Sequence, residues 1–178
     1  MKPTKLIPLL ASWAILSSCD SSDSTASKPQ ASGPSANLKS VFAEPVSDEA
    51  SAIHLVRTTA QPGDTIVLNG MVMGSKEPFV DGRAAFILGD REILTPCNEM
   101  ENDQCSTPWD VCCESKADRK AGTAMIQILG ADERPLKESL EGVMGMKKLS
   151  VLRVKGQVAE TSGPDNLVIN AEAIEVLD

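Results

Sequence analysis

The most reactive side chains of this sequence are four cysteines within seventeen consecutive residues, Cys97, Cys105, Cys112 and Cys113. Cysteine thiols pair as disulfides in oxidising compartments, whereas thiolates that stay reduced bind soft metal ions or exchange electrons. The spacings of eight, seven and one residues differ from the closely spaced C-x2-4-C pairs of most zinc sites. No C-x-x-C redox pair is present either. The spacings therefore give little support to a metal or redox site.

Two further sets of side chains offer possible metal ligands. Two Met-x-Met pairs carry thioethers that suit Cu(I), although methionines at alternate strand positions are more often packing residues. Carboxylates flank the cysteines, but residues 98–104 lack the glycine and the final glutamate of a calcium-binding loop. A metal-binding or redox-sensing protein is therefore the alternative to a disulfide-bonded one. The residues concerned are Met71, Met73, Met144, Met146, Glu99, Glu101, Asp103, Asp110 and Glu114.

Few side chains of this chain suit proton transfer, since the sequence has one histidine, His54, and no tyrosine. It contains no G-x-S-x-G, no H-E-x-x-H, no phosphate-binding loop and no dinucleotide-binding fingerprint. We therefore expect that the protein is not an enzyme and has no cofactor. Trp109 lies among the cysteines and is the candidate anchor for a binding partner. Packing over a disulfide is the plainer alternative for this side chain.

The N-terminus is typical of an exported protein. Lys2 and Lys5 precede an apolar run of eleven residues, 6–16, which is too short to span a bilayer as a helix. The run ends in Leu16-Ser17-Ser18-Cys19, which resembles the lipobox of bacterial lipoproteins. The resemblance implies a signal peptide over residues 1–18 and fatty acyl chains such as palmitate on Cys19. These chains would anchor the protein in a lipid bilayer on the extracytoplasmic side, in the periplasm or at the cell surface.

Export places the four cysteines in an oxidising compartment, so we expect two structural disulfides and no bound metal. A bond between Cys112 and Cys113 would close a strained ring, because the two residues are adjacent. Two pairings remain open: Cys97 joins either Cys112 or Cys113, and Cys105 joins the other. Each bond would stabilise the fold by about 2–4 kcal/mol.

Residues 19–47 are rich in Ser, Ala and Pro and contain few large apolar side chains. Such a composition cannot bury enough apolar surface to offset the entropy of ordering, so we predict a lipidated, disordered tether. The full chain has a formal net charge of −8, and loss of the signal peptide brings it to about −10. An acidic balance of this size is unfavourable for binding nucleic acid or an anionic bilayer surface.

The folded body is predicted to span residues 48–178 and to be mainly β. Ser47 is predicted to cap a short helix that contains His54, and a second short helix is expected at 135–140. A change of parity between Ala171 and Ile174 predicts a β-bulge. Alternating apolar residues predict five strands, at about 65–74, 84–88, 124–129, 149–158 and 167–176.

This order of elements resembles the OB-fold, a small closed barrel in which glycines let long strands bend. Gly70 and Gly156 lie where bending is needed. The closing hairpin, residues 151–176, is similar to the end of OB domains in small secreted bacterial proteins of unknown function. We therefore predict a five-stranded OB-like barrel with a short helix and a cysteine-rich insert, residues 95–122, between strands 2 and 3.

These features predict a membrane-anchored, extracytoplasmic binding or interaction module whose protein or small-molecule partner is unidentified. Binding of single-stranded nucleic acid is a second alternative, because OB-folds often perform it with a basic groove and aromatic platforms. The chain has three Phe, two Trp and no Tyr and is acidic. We therefore expect no nucleic-acid partner.

Overall fold

The computed structural model describes residues 33–102 and 104–177. The predicted signal peptide, Cys19 and the tether up to residue 32 lie outside the described residues. Within the described ranges, no helix is both long enough and apolar enough to cross a bilayer. Two 3-10 turns, Cys97–Glu99 and Val143–Gly145, accompany the regular elements. In chain order these are α1 (Ala36–Ser40), α2 (Ile53–Thr59), β1 (Thr65–Val72), β2 (Ala85–Gly89), α3 (Lys116–Ala121), β3 (Thr123–Gln127), β4 (Val151–Val158) and β5 (Val168–Val176).

The five strands form a closed barrel in the order β1-β2-β3-β5-β4, and β4 pairs back onto β1. The β3–β5 pairing is parallel and all others are antiparallel. A closed barrel leaves no strand edge open for pairing with another chain. The structure is therefore mainly β with the OB-like architecture that the sequence predicts.

The barrel interior follows the alternation of each strand. In β4, Leu152, Val154 and Val158 are buried, as predicted, together with Gly156, while the alternate residues of the strand are partly or fully exposed. Across the barrel they meet side chains of the other strands, including Leu68 and Phe86, in one continuous core. This core fills the interior of the barrel, so polar side chains lie on its outer surface.

Gly156 and the predicted bulge occur at the same point of the β4–β5 pair. Lys155 pairs with Ala173 and Gly156 with Ala171, so Glu172 is the extra residue of β5. A Cβ atom on Gly156 would lie 2.9 Å from the Ala171 Cα, closer than real Cβ atoms approach. Both predictions are confirmed, and together they explain how the last two strands bend around the barrel.

The prediction of a disordered tether up to residue 47 is wrong for its last part, residues 33–47, here called the N-terminal arm. Leu38, on α1, is fully buried in the barrel core. The Ile174 N–H donates to the Val41 carbonyl at 2.8 Å, and Arg153 Nη1 donates to the Val46 carbonyl at 2.9 Å. The arm has few apolar residues, but they are spaced so that each contacts the barrel.

Both helix predictions need correction. Residues 135–140 form no helix, because Leu136 N–H donates to Ile128 and the Leu136 carbonyl accepts from Ala84, which turns this backbone into a short extension of the sheet. The helix attributed to Ser47 begins later, at Ile53, and its N-cap is Ala52. The methyl side chain of Ala52 cannot accept a hydrogen bond from the first turn of this helix, so the capping group comes from elsewhere in the chain.

Candidate functional site

The connection between β2 and β3, residues 90–122, carries all four cysteines and is held on the barrel by a second, smaller apolar cluster. Leu94 and Val111 of the connection pack against Met71 and Met73 of β1 and its end. All four side chains are buried. The two halves of the connection are thus fixed to the same patch of barrel, which brings the segments with Cys97 and Cys112 together.

Backbone hydrogen bonds align the two halves more closely. The Cys97 N–H donates to the Asp110 carbonyl at 2.8 Å, and the Asn98 N–H donates to the Pro108 carbonyl at 3.0 Å. After Val111 the chain makes a β-turn, closed by the Glu114 N–H to the Val111 carbonyl at 3.0 Å. Cys112 is therefore the first of the two central residues of this turn, next to Cys97.

Trp109 fastens the same segment to the β1–β2 connection. Its Nε1–H donates to the Lys76 carbonyl at 2.8 Å, and its own carbonyl accepts from the Gly74 N–H at 3.3 Å. The Lys148 ammonium lies 4.4 Å from the centre of the indole ring, a cation–π arrangement. The half-buried indole thus has structural contacts within the chain. Its role as an anchor for a partner stays a prediction.

Three sulfur atoms converge where these segments meet. The Cys112 Sγ lies 3.6 Å from the Cys97 Sγ and 3.9 Å from the Cys105 Sγ. All three sulfurs lie within 4.8 Å of one another. We call Cys97, Cys105 and Cys112 the thiol cluster. Cys113 is exposed and lies outside it.

The sulfur separations in the thiol cluster are those of thiols in hydrogen-bond contact, and they are also compatible with a shared metal ion. A disulfide holds its sulfurs about 2.05 Å apart, and none of these cysteines is in a disulfide in this structure. Two thiolates on one tetrahedral zinc ion, each about 2.3 Å from it, lie about 3.8 Å apart. The predicted pairing therefore stays a prediction, and the geometry gives the metal-site alternative a weight that the sequence spacings did not.

The surroundings of the three thiols shift their pKa values in different directions. Burial, followed by the hydrogen bond with Cys112, raises the pKa of the Cys97 thiol from its ordinary value of 9.0 to about 12. The Thr107 hydroxyl, 3.4 Å from the Cys105 Sγ, and then the Thr107 backbone N–H lower the pKa of Cys105. Cys105 is thus the most readily ionised thiol of the cluster, and Cys97 stays protonated at neutral pH.

Among the described residues, the other candidate metal ligands lie outside the group of side chains that could share an ion. Met71 and Met73 are core residues, Met146 is fully buried in the barrel and Met144 is exposed on a turn. Among the carboxylates, Glu99 pairs with Arg91 at 3.4 Å, and Glu114 accepts the Thr95 N–H at 3.0 Å. Asp103 lies outside the described residues. The ligand set that the described residues support is therefore the three thiols alone.

One buried polar pair was not recognised from the sequence. Asp90 is 1% exposed, and its Oδ2 accepts the His54 backbone N–H at 2.9 Å and lies 2.8 Å from the His54 Nδ1. This carboxylate supplies the cap that Ala52 cannot give to α2. His54 is therefore a boundary residue with a structural partner. Since 36 positions separate the two residues, no local pattern could reveal the pair.

No protein-family model matches this chain, and no curated protein or solved structure is significantly similar to it.

Proposed function

We propose that this protein is an exported, membrane-tethered module that binds one thiophilic metal ion, zinc or copper(I), at the thiol cluster. The observation that carries the proposal is the convergence of three cysteine sulfurs, with neighbouring separations of 3.6 and 3.9 Å. Thiolates are the preferred ligands of these two ions. The lipobox-like Leu16–Cys19 sequence supports the tether. The negative net charge of the whole chain supports a cationic rather than an anionic ligand.

The position of the cluster also supports binding. Its three cysteines come from separate parts of the connection, which is held by Leu94 and Val111 on the barrel and by Trp109 on the β1–β2 connection. Ligands fixed in this way lose little conformational entropy when a metal ion binds. Exposure of Cys112 gives an ion a path from solvent to the buried Cys97.

Cobalt(II), a spectroscopic substitute for zinc, tests the proposal. We expect reduced protein to bind one equivalent and to develop thiolate-to-cobalt charge-transfer absorption, which one equivalent of zinc then removes. The substitution Cys112→Ser should weaken binding by more than about 100-fold, because even changes in groups that only orient a metal ligand cost 10–100-fold.

Cys113→Ser is the matched control, since it removes an exposed thiol from the adjacent residue and leaves the cluster intact. It should keep the stoichiometry and the absorption of the unmodified chain. Equal loss of binding in Cys112→Ser and Cys113→Ser would mean that the three-sulfur cluster is not the site. No charge-transfer absorption in fully reduced protein would refute metal binding altogether.

A disulfide or redox function is the second candidate, and it also has a specific observation in its favour. Cys112 lies within 4 Å of two different thiols, so small side-chain rotations would let it pair with either one. Alkylation of unreduced protein followed by peptide mapping distinguishes the two functions. Cys97 or Cys105 linked to Cys112 supports the redox function, whereas alkylated thiols after chelation support metal binding.

A further inference from the structure

We propose that Cys113 is an exchange ligand, through which the bound metal ion passes between the thiol cluster and an acceptor that offers its own thiolates. This inference rests on the proposed metal-binding function. The added activity is transfer of the metal ion. It is assigned to Cys113, the cysteine of the connection that is not part of the thiol cluster.

The placement of the cysteines forms a path from the core to solvent. Cys97 is fully buried, Cys105 is partly buried, and Cys112 and Cys113 are exposed. The last two occupy the central positions of the β-turn that the Glu114 N–H closes on the Val111 carbonyl. Val111 is fully buried, so the turn is anchored at its base while its tip faces solvent. The residue next to Cys112 thus carries a further, exposed thiol, whose side chain interacts with that of Cys112.

The transfer step is a ligand exchange without electron transfer. Cys113 would release its proton to solvent and form a metal–sulfur bond, while the bond between the metal and the Cys97 Sγ would break. The freed Cys97 sulfur would take up a proton from solvent, so that one proton is released and one is bound. One metal–sulfur bond is made and one is broken, and the ion then sits at the Cys112–Cys113 turn, where thiolates of an acceptor replace the remaining ligands.

The experiment measures zinc release from the reduced, zinc-loaded chain to excess 4-(2-pyridylazo)resorcinol, followed by the colour of the chelate. We expect Cys113→Ser to slow release by about tenfold or more while the equilibrium affinity for zinc changes by less than about threefold. Cys113→His should recover a large part of the rate, because imidazole is also a zinc ligand. Ser106→Ala, an exposed change in the same connection, should release zinc as fast as the unmodified chain.

The possible results distinguish failure of the exchange role of Cys113 from failure of metal binding itself. If the unmodified chain takes up no zinc, both are overturned. If Cys113→Ser binds zinc normally and releases it as fast as the unmodified chain, only the exchange role is wrong. A loss of zinc affinity of more than about 100-fold in Cys113→Ser also overturns the exchange role, because Cys113 is then a permanent ligand.

Discussion

The individual thiols of the cluster differ in the work needed to turn each into a metal ligand. Thr107 lowers the pKa of Cys105, whereas burial raises the pKa of Cys97 to about 12. Metal binding at neutral pH must therefore displace a proton from Cys97. Affinity for the ion should rise with pH for this reason.

The raised pKa of Cys97 also predicts how the stability of the metal-free protein depends on pH. An unfolded chain releases the Cys97 proton near pH 9.0, whereas the folded chain keeps it up to about pH 12. The contribution of this thiol is thus complete below pH 9.0 and is lost as the pH rises towards about 12. The free energy of unfolding should fall by up to about 1.4 kcal/mol per pH unit in this range.

Urea unfolding at several pH values, in the presence of chelator and reductant, provides the measurement. The unmodified chain should lose stability more steeply above about pH 9 than Cys97→Ser, which lacks the thiol. The difference between the two curves removes the contribution of lysines, which titrate in both proteins. Parallel curves would show that the Cys97 thiol ionises as easily in the folded state as in the unfolded one.

Two elements outside the barrel, α2 and the N-terminal arm, depend on side chains that act over long sequence distances. Asp90, at the end of β2, binds the first turn of α2, and Leu38 fixes α1 in the barrel core. These contacts join the start of the described chain to the barrel that carries the cysteine connection. The elements are short, so tertiary contacts rather than helix propensity hold them in place.

Replacement of Leu38 by alanine tests whether the arm is part of the folded domain. The side chain is fully buried, so Leu38→Ala should lower the free energy of unfolding by about 2–5 kcal/mol. Asn37→Ala, an exposed change in the same helix, should alter it by no more than about 0.5 kcal/mol. Similar small effects of both changes in chemical denaturation would mean that the arm does not pack on the barrel.

Asp90→Ala tests the contact between β2 and α2. The change leaves the His54 backbone N–H without its buried acceptor, and removal of such a partner costs about 1–3 kcal/mol. Hydrogen exchange should show that the amides of α2 lose most of their protection while those of β4 change little. Uniform loss of protection across the barrel would contradict a local capping role for Asp90.

Local patterns in the sequence predict the barrel well, because alternation in β4 and the parity change in β5 are properties of neighbouring residues. They do not predict the N-terminal arm, where a few apolar residues such as Leu38 and Val46 each find a separate site on the barrel. The predicted disulfide pairings place Cys97 beside Cys112 or Cys113, and its sulfur lies 3.6 Å from that of Cys112. They do not bring three sulfurs to one point, because that convergence depends on backbone contacts such as the Cys97 N–H to the Asp110 carbonyl, which cysteine spacing does not reveal.

Taken as a whole, the molecule combines a rigid barrel, an acidic surface and one connection that gathers the thiols. The barrel holds that connection at both ends, on Asp90 after β2 and on Gly122 before β3, and the Asp90 N–H donates to the Gly122 carbonyl at 2.8 Å. A proposed lipid anchor at Cys19 would keep this assembly close to a membrane. The protein would thereby concentrate a metal ion where membrane-bound acceptors can receive it.

The anchor is tested by Cys19→Ser. We expect the unmodified chain in the membrane fraction with an acyl-modified N-terminal Cys19, because two or three acyl chains give stable anchoring. The variant should lack this modification and leave the washed membrane fraction. Cys113→Ser, which removes an exposed thiol of the β2–β3 connection instead, should stay with the membrane. An unmodified Cys19 in the native protein, with Met1 retained, would contradict both export and anchoring.

The most direct test of the metal-binding account is native mass spectrometry of the full chain, released from membranes in mild detergent without reductant or chelator. Metal binding at the thiol cluster predicts a mass that includes one zinc or copper ion. It also predicts four alkylatable thiols once the ion is removed, at Cys97, Cys105, Cys112 and Cys113. A metal-free chain, lighter by the hydrogens lost in forming two disulfides, would contradict it.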